Sequence, residues 1–126
     1  MGQALSRAVA VGQGVYYVVT GVWPLIHMGS FQRVTGPKVD GWLVQTAGVL
    51  ITAIGATLLR GAQRGAAWPE LRLLGVGSAA GLAGIDIVHV ARRRIAPIYL
   101  LDALAEAVII AAWAVAAPGS SRAAEA

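Results

Sequence analysis

The chain has 126 residues, 57% hydrophobic and 13% charged, with no Cys and a net charge of +4, and its mean hydropathy is +0.68. A soluble domain carries about 25% charged residues, and so much apolar surface has no soluble interior of this size in which to hide. The missing Cys excludes disulfides, thiolate metal sites, Cys-ligated iron-sulfur clusters and a cysteine nucleophile. The basic residues sit between apolar runs rather than along one face, so they read as membrane flanks, and no nucleic-acid partner is expected.

Four apolar runs follow one another: about Ala8 to His27, Trp42 to Leu59, Leu73 to Ala91 and Pro97 to Ala117. Each has 18 to 21 residues, against about 20 needed to cross the hydrocarbon core as a helix. The first run follows Arg7 and exceeds the roughly 7 to 15 residues of a cleavable leader's apolar region, so it reads as a span. The expected fold is an all-α integral membrane protein: one transmembrane domain over residues 1–126, a left-handed bundle of four transmembrane helices with short loops, its main partner the lipid bilayer.

The boundaries carry matching chemistry. Ser6 is placed to cap the first helix and Asp40 the second, while Pro69 and Pro97 suit a first turn, where the missing N–H is not needed. Trp23, Trp42, Trp68 and Trp113 lie near the ends of the runs, where an indole keeps its ring in apolar surroundings and its N–H near water. The segment Thr35-Gly36-Pro37-Lys38 signals a turn, and 118–126 reads as a flexible tail.

Charge does not orient the chain. Arg7, Arg60, Arg64, Arg72 and Arg122 fall on the side of the termini, and Arg33, Lys38, Arg92, Arg93 and Arg94 on the side of loops one and three, five against five. Even-span chains tend to keep both termini in the cytoplasm, which is the expectation here. A composition rich in Arg, Ala, Gly and Val fits a GC-rich bacterial gene and hence a bacterial inner membrane.

In a membrane bundle the buried seam recurs about every 3.5 residues. The four stripes are Gln13-Tyr16-Thr20-Trp23-His27, Gln45-Gly48-Thr52-Gly55-Leu59, Ala79-Leu82-Asp86-His89-Arg93 and Tyr99-Asp102-Glu106-Ile109-Trp113. They gather most polar residues of the spans, giving Gln13, Tyr16, Thr20, Gln45, Thr52 and Tyr99 as a cavity lining. Gly77, Gly81 and Gly84 are expected to serve close helix packing, within the subunit or between subunits. The string from Gly75 to Gly81 is not a dinucleotide fingerprint, since no strand precedes it. No phosphate loop, Ser-His-Asp context or HExxH motif is present, so no catalytic residue is assigned and a non-enzymatic role is favoured.

His27, Asp86, His89, Asp102 and Glu106 fall toward the side of loops one and three. Glu106 lies roughly 15 Å into its span, where a carboxylate costs on the order of 3 kcal/mol and must be protonated, paired or in a wet cavity. Asp102 and Glu106 are four residues apart on one face and disfavour double ionisation. Asp86 and His89 form an Asp-x-x-His pair with Arg92, Arg93 and Arg94 as nearby counter-ions. Four readings stay open: a proton- or cation-coupled small-molecule transporter; an accessory subunit of a larger membrane complex; a metal enzyme using the two His and three carboxyls; and a b-type haem between His27 and His89. No cofactor is expected in the first two, and the partner is a homo-oligomer or other membrane subunits.

Overall fold

A backbone in lipid has no water to bond, so each apolar run must satisfy its own N–H and C=O groups, and the helix does so locally. The computed structural model describes residues 2–36, 41–65 and 67–116. Among these, five helices follow in order: α1 (Gly2–Ile26), α2 (Met28–Thr35), α3 (Gly41–Arg64), α4 (Trp68–Ala91) and α5 (Tyr99–Ala116). All but α2 are long and apolar enough to cross a membrane. The protein is thus an all-helical membrane protein, a bundle of four spanning helices. Val19, Leu50, Leu101 and Leu104 are all more than half exposed, as expected of side chains whose solvent is lipid.

Several boundaries move. α3 runs on to Arg64 and α4 starts at Trp68, because Arg60, Arg64 and Glu70 end a run of hydropathy without ending a helix that continues out of the hydrocarbon. α1 starts at Gly2, so Ser6 is no cap; it lies inside the helix, buried, with its hydroxyl 3.5 Å from the Ala116 carbonyl. Pro69 does sit in the first turn of α4. Pro97 stands just ahead of α5, its carbonyl accepting from Leu100 N–H at 2.9 Å. The Asp40 cap, Pro37, Lys38 and the expected tail lie outside the described residues.

The helix α2 was not visible in the hydropathy, because its eight residues, MGSFQRVT, include too few apolar ones. Local bonds hold it. His27 Nδ1 accepts from Ser30 N–H at 3.0 Å, capping α2, and Trp23 Nε1 donates to Ser30 Oγ at 2.8 Å. The Trp23 and Phe31 rings meet edge to face at 5.4 Å. Gly36, with φ 99°, ends α2 at the expected turn and donates to Gln32 O.

α1 lies along α3, α4 lies along α5, and α1 also touches α5 and α4. The closest approach is between α1 and α3, where two glycine pairs meet. A Cβ on Gly55 would stand 2.7 Å from the Gly14 carbonyl oxygen, and one on Gly48 2.5 Å from that of Gly21. Built the other way, a Cβ on Gly14 or Gly21 strikes the carbonyls of Gly55 and Gly48 at 2.9 and 2.7 Å. Gly14 and Gly21 are seven residues apart, as are Gly48 and Gly55, the period that keeps one face of a left-handed pair in register.

Gly77, Gly81 and Gly84 do not pack against the other described residues of the chain. They are exposed, and a Cβ on any of them meets nothing within 4 Å. Trp113 is not interfacial but fully buried in the core with Ala10, Leu58, Ala62 and Leu71. Trp42, by contrast, is 66% exposed at the start of α3.

Gly55→Val is expected to cost about 1–3 kcal/mol or more through overpacking, whereas Gly81→Ala should leave stability within about 0.5 kcal/mol of wild type or raise it slightly. Thermal unfolding in mild detergent compares the two.

Candidate functional site

α1 touches three other spanning helices, so its inward arc is wide enough for two neighbouring residues, Tyr16 and Tyr17, to face the bundle. Their hydroxyls reach the carboxyls of α5. Tyr16 Oη donates to Asp102 Oδ1, and Tyr17 Oη donates to Glu106 Oε1 at 2.6 Å. Asp86 arrives from α4, and Asp102 lies within interacting reach of both Asp86 and Glu106. Asp86 and Glu106 are only 5% and 1% exposed. Asp86 Oδ2 and Glu106 Oε2 are buried and have no hydrogen-bond partner among the described residues.

These groups line a cavity of about 670 Å³ whose walls come from all five helices and the segment before α5. It runs from Tyr17 and Glu106 toward Phe31 and Thr35 of α2 and Ile95 and Ile98 beyond α4, on the side of loops one and three. Its walls are mostly aliphatic and aromatic, and among the described residues no Lys, Arg or His lines it.

On the side of the termini a polar lock closes the bundle. Trp113 Nε1 donates to Gln13 Oε1 at 2.7 Å, and Gln13 Nε2 donates to the Gly75 carbonyl at 2.9 Å, with Ser78 Oγ at 3.5 Å. Gly75 makes room for this, since a Cβ there would meet Gln13 Oε1 at 2.7 Å. Tyr17 is near both Gln13 and Ser78, so the lock abuts the carboxyl cluster.

The structure therefore brings together Asp86, Asp102 and Glu106, with Tyr16, Thr20 and Tyr99 among the cavity walls. Other residues of the sequence reading fall elsewhere. Gln13 is buried in the lock rather than lining the cavity. Thr52 donates to Gly48 O at 2.7 Å inside the α1–α3 seam, and Gln45 is exposed on the outside of α3. His27 caps α2, and His89 Nδ1 lies 3.1 Å from the Ile85 carbonyl. The Asp86–His89 pair is not formed, and Arg92, Arg93 and Arg94 are exposed past the end of α4. Among the described residues, no group of three or more His, Asp or Glu is arranged to hold a metal ion. Tyr17 was missed because a stripe with a period near 3.5 admits Gln13 and Tyr16 and passes over their neighbour.

No family model, curated protein or solved structure matches the chain. Fold and site together define a class: a four-span membrane protein with a carboxyl-lined cavity in one half of its bundle. Carboxyls at this depth are bonded by phenols, and no basic side chain among the described residues of the cavity wall supplies a countercharge.

Gln13→Leu is expected to cost about 1–3 kcal/mol, since it strands the indole N–H of Trp113. Gln45→Leu should be neutral or stabilising because Gln45 already faces outward. Unfolding of both variants in the same detergent separates the two glutamines.

Proposed function

We propose that this protein is a proton-coupled transporter in which Glu106, Asp102 and Asp86 hold either protons or a substrate. The observation that carries the reading is the cluster of three carboxyls, Asp86, Asp102 and Glu106, lining one apolar cavity, with no basic side chain among the described residues of its wall. A purely structural carboxyl at this depth is normally matched by a cation or a full set of donors. Here Asp86 and Glu106 are set beside a third carboxyl, Asp102, rather than beside a cation. In this reading no metal or haem takes part, the chain sits in a bacterial inner membrane, and both termini are cytoplasmic.

Each carboxyl has a distinct part. Glu106 is the deepest and most enclosed, so its charge state matters most to what the cavity will accept. Tyr17 holds one oxygen of Glu106, and Tyr16 holds one oxygen of Asp102. The proton and the guest then compete for one site, which is the minimum needed to couple their movements.

A second reading rests on a different observation. The α4 face bearing Gly77, Gly81 and Gly84 is uncovered by the other described residues, which supports a lateral partner, either another copy or a larger complex that this protein serves as an accessory subunit. Native mass determination in mild detergent is expected to give a homo-oligomer if the transporter reading holds; a stoichiometric set of foreign subunits would favour the accessory role.

The transporter reading is tested in liposomes with an acid interior and a trapped pH dye, exposed in turn to cationic, anionic, zwitterionic and neutral solutes. At least one class should discharge the gradient through the wild-type protein, and Glu106→Gln should abolish that response. Discharge by no class, or an undiminished response in Glu106→Gln, would overturn the reading.

A further inference from the structure

The chemistry of the cavity also selects among substrates. Asp86 from α4 and Asp102 and Glu106 from α5 all line the cavity, and Asp102 lies within interacting reach of the other two. A negatively charged guest would meet three carboxyls and, among the described residues of the wall, no cation. A neutral guest would bring these carboxyls no countercharge.

Among cations, the walls favour an organic one. Ile51, Leu82 and Ile98 are hydrocarbon, which cannot replace the water shell of a small inorganic ion. No three acidic or imidazole groups among the described residues converge as metal ligands. Tyr16, Tyr17, Trp23, Phe31 and Tyr99 supply ring faces or edges along the cavity, and aromatic rings attract weakly hydrated cations. A volume of about 670 Å³ is in the range of cavities that take up small organic molecules.

We propose that the cavity binds a hydrophobic organic monocation, its charge set against the carboxyl cluster of Asp86, Asp102 and Glu106 and its apolar body against the Ile51, Leu82 and Ile98 wall. This rests on the transporter reading and names the substrate class of the same site. Leu82 is then a size-determining residue, since it lines the cavity from α4 without contributing a polar atom.

Tetraphenylphosphonium and tetraphenylborate share one shape and carry opposite charge, which makes them the test pair. Full-length protein in lipid nanodiscs is titrated with each by equilibrium dialysis against empty nanodiscs. Saturable binding of the phosphonium and none of the borate is expected. Glu106→Gln should weaken phosphonium binding at least about tenfold, as loss of a charge-assisted contact does, and Asp86→Asn should weaken it as well. Leu82→Trp, which keeps every carboxyl and fills the wall, should also reduce it and provides the test should a carboxyl variant fail to fold. Equal binding of both ions, binding of neither, or phosphonium binding unaltered in all three variants would overturn the proposal. If the liposome assay shows Glu106-dependent discharge by anionic or neutral solutes alone, this inference fails while the transporter reading stands.

Discussion

The contact on which the rest depends is the one between the backbones of α1 and α3. At Gly14·Gly55 and Gly21·Gly48 the helices approach so closely that no side chain fits between them. In lipid there is no hydrophobic force to press helices together, so surface matching of this kind supplies much of their attraction. The two pairs sit at two heights along the same antiparallel seam, which fixes both the rotation of α1 and its slide along α3. Once α1 is held with its glycines toward α3, the positions of Gln13, Tyr16 and Tyr17 follow: they must look toward α4 and α5.

The same orientation explains why polar groups gather where they do. Gln13 finds in α4 and α5 a carbonyl and an indole that use its amide from both ends. One turn further on, the two tyrosines find the carboxyls of α5. The lock is satisfied by neutral hydrogen bonds, which are stable in an apolar medium. The cluster beside it gathers three carboxyls. The carboxyl-lined hollow opens toward loops one and three, and it meets the lock at Tyr17.

Much of this was legible in the sequence, for identifiable reasons. Hydropathy over 18 to 21 residues finds spans because lipid imposes a length. The stripe on α5 was accurate through Tyr99, Asp102, Glu106 and Trp113, since a helix that packs mainly against one neighbour has a narrow inward face. The stripe on α1 passed over Tyr17 because a helix meeting three partners has a wide one. Glycine was the hardest residue to read. The string around Gly77 and Gly81 has the familiar spacing but no facing helix, whereas the seven-residue pairs that do pack are split between two distant spans and acquire meaning only when α1 and α3 are laid antiparallel. Gln45 and Thr52 illustrate a related limit: a polar atom in a span need not line a cavity if it lies near the helix end or bonds its own backbone.

The bundle's interfaces also differ in stiffness. The α1–α3 seam is backbone against backbone, and such a contact has few ways to rearrange without losing its fit. Across the bundle, α1 meets α4 and α5 through side chains, by the hydrogen bonds of Gln13, Tyr16 and Tyr17 and by the apolar core in which Ala10 packs with Leu71 and Trp113. Any change in the shape of the cavity is therefore easier by movement of α4 and α5 against a fixed α1–α3 unit than by parting that unit. Such a movement acts on the cluster directly, because the carboxyls ride on α4 and α5 while the phenols that bond them ride on α1. Separation of the two halves would withdraw the phenol donors from Asp102 and Glu106 and leave their charge to be met by whatever occupies the cavity. The placement of donors on one rigid half and acids on the other thus ties the geometry of the bundle to the occupancy of its polar site.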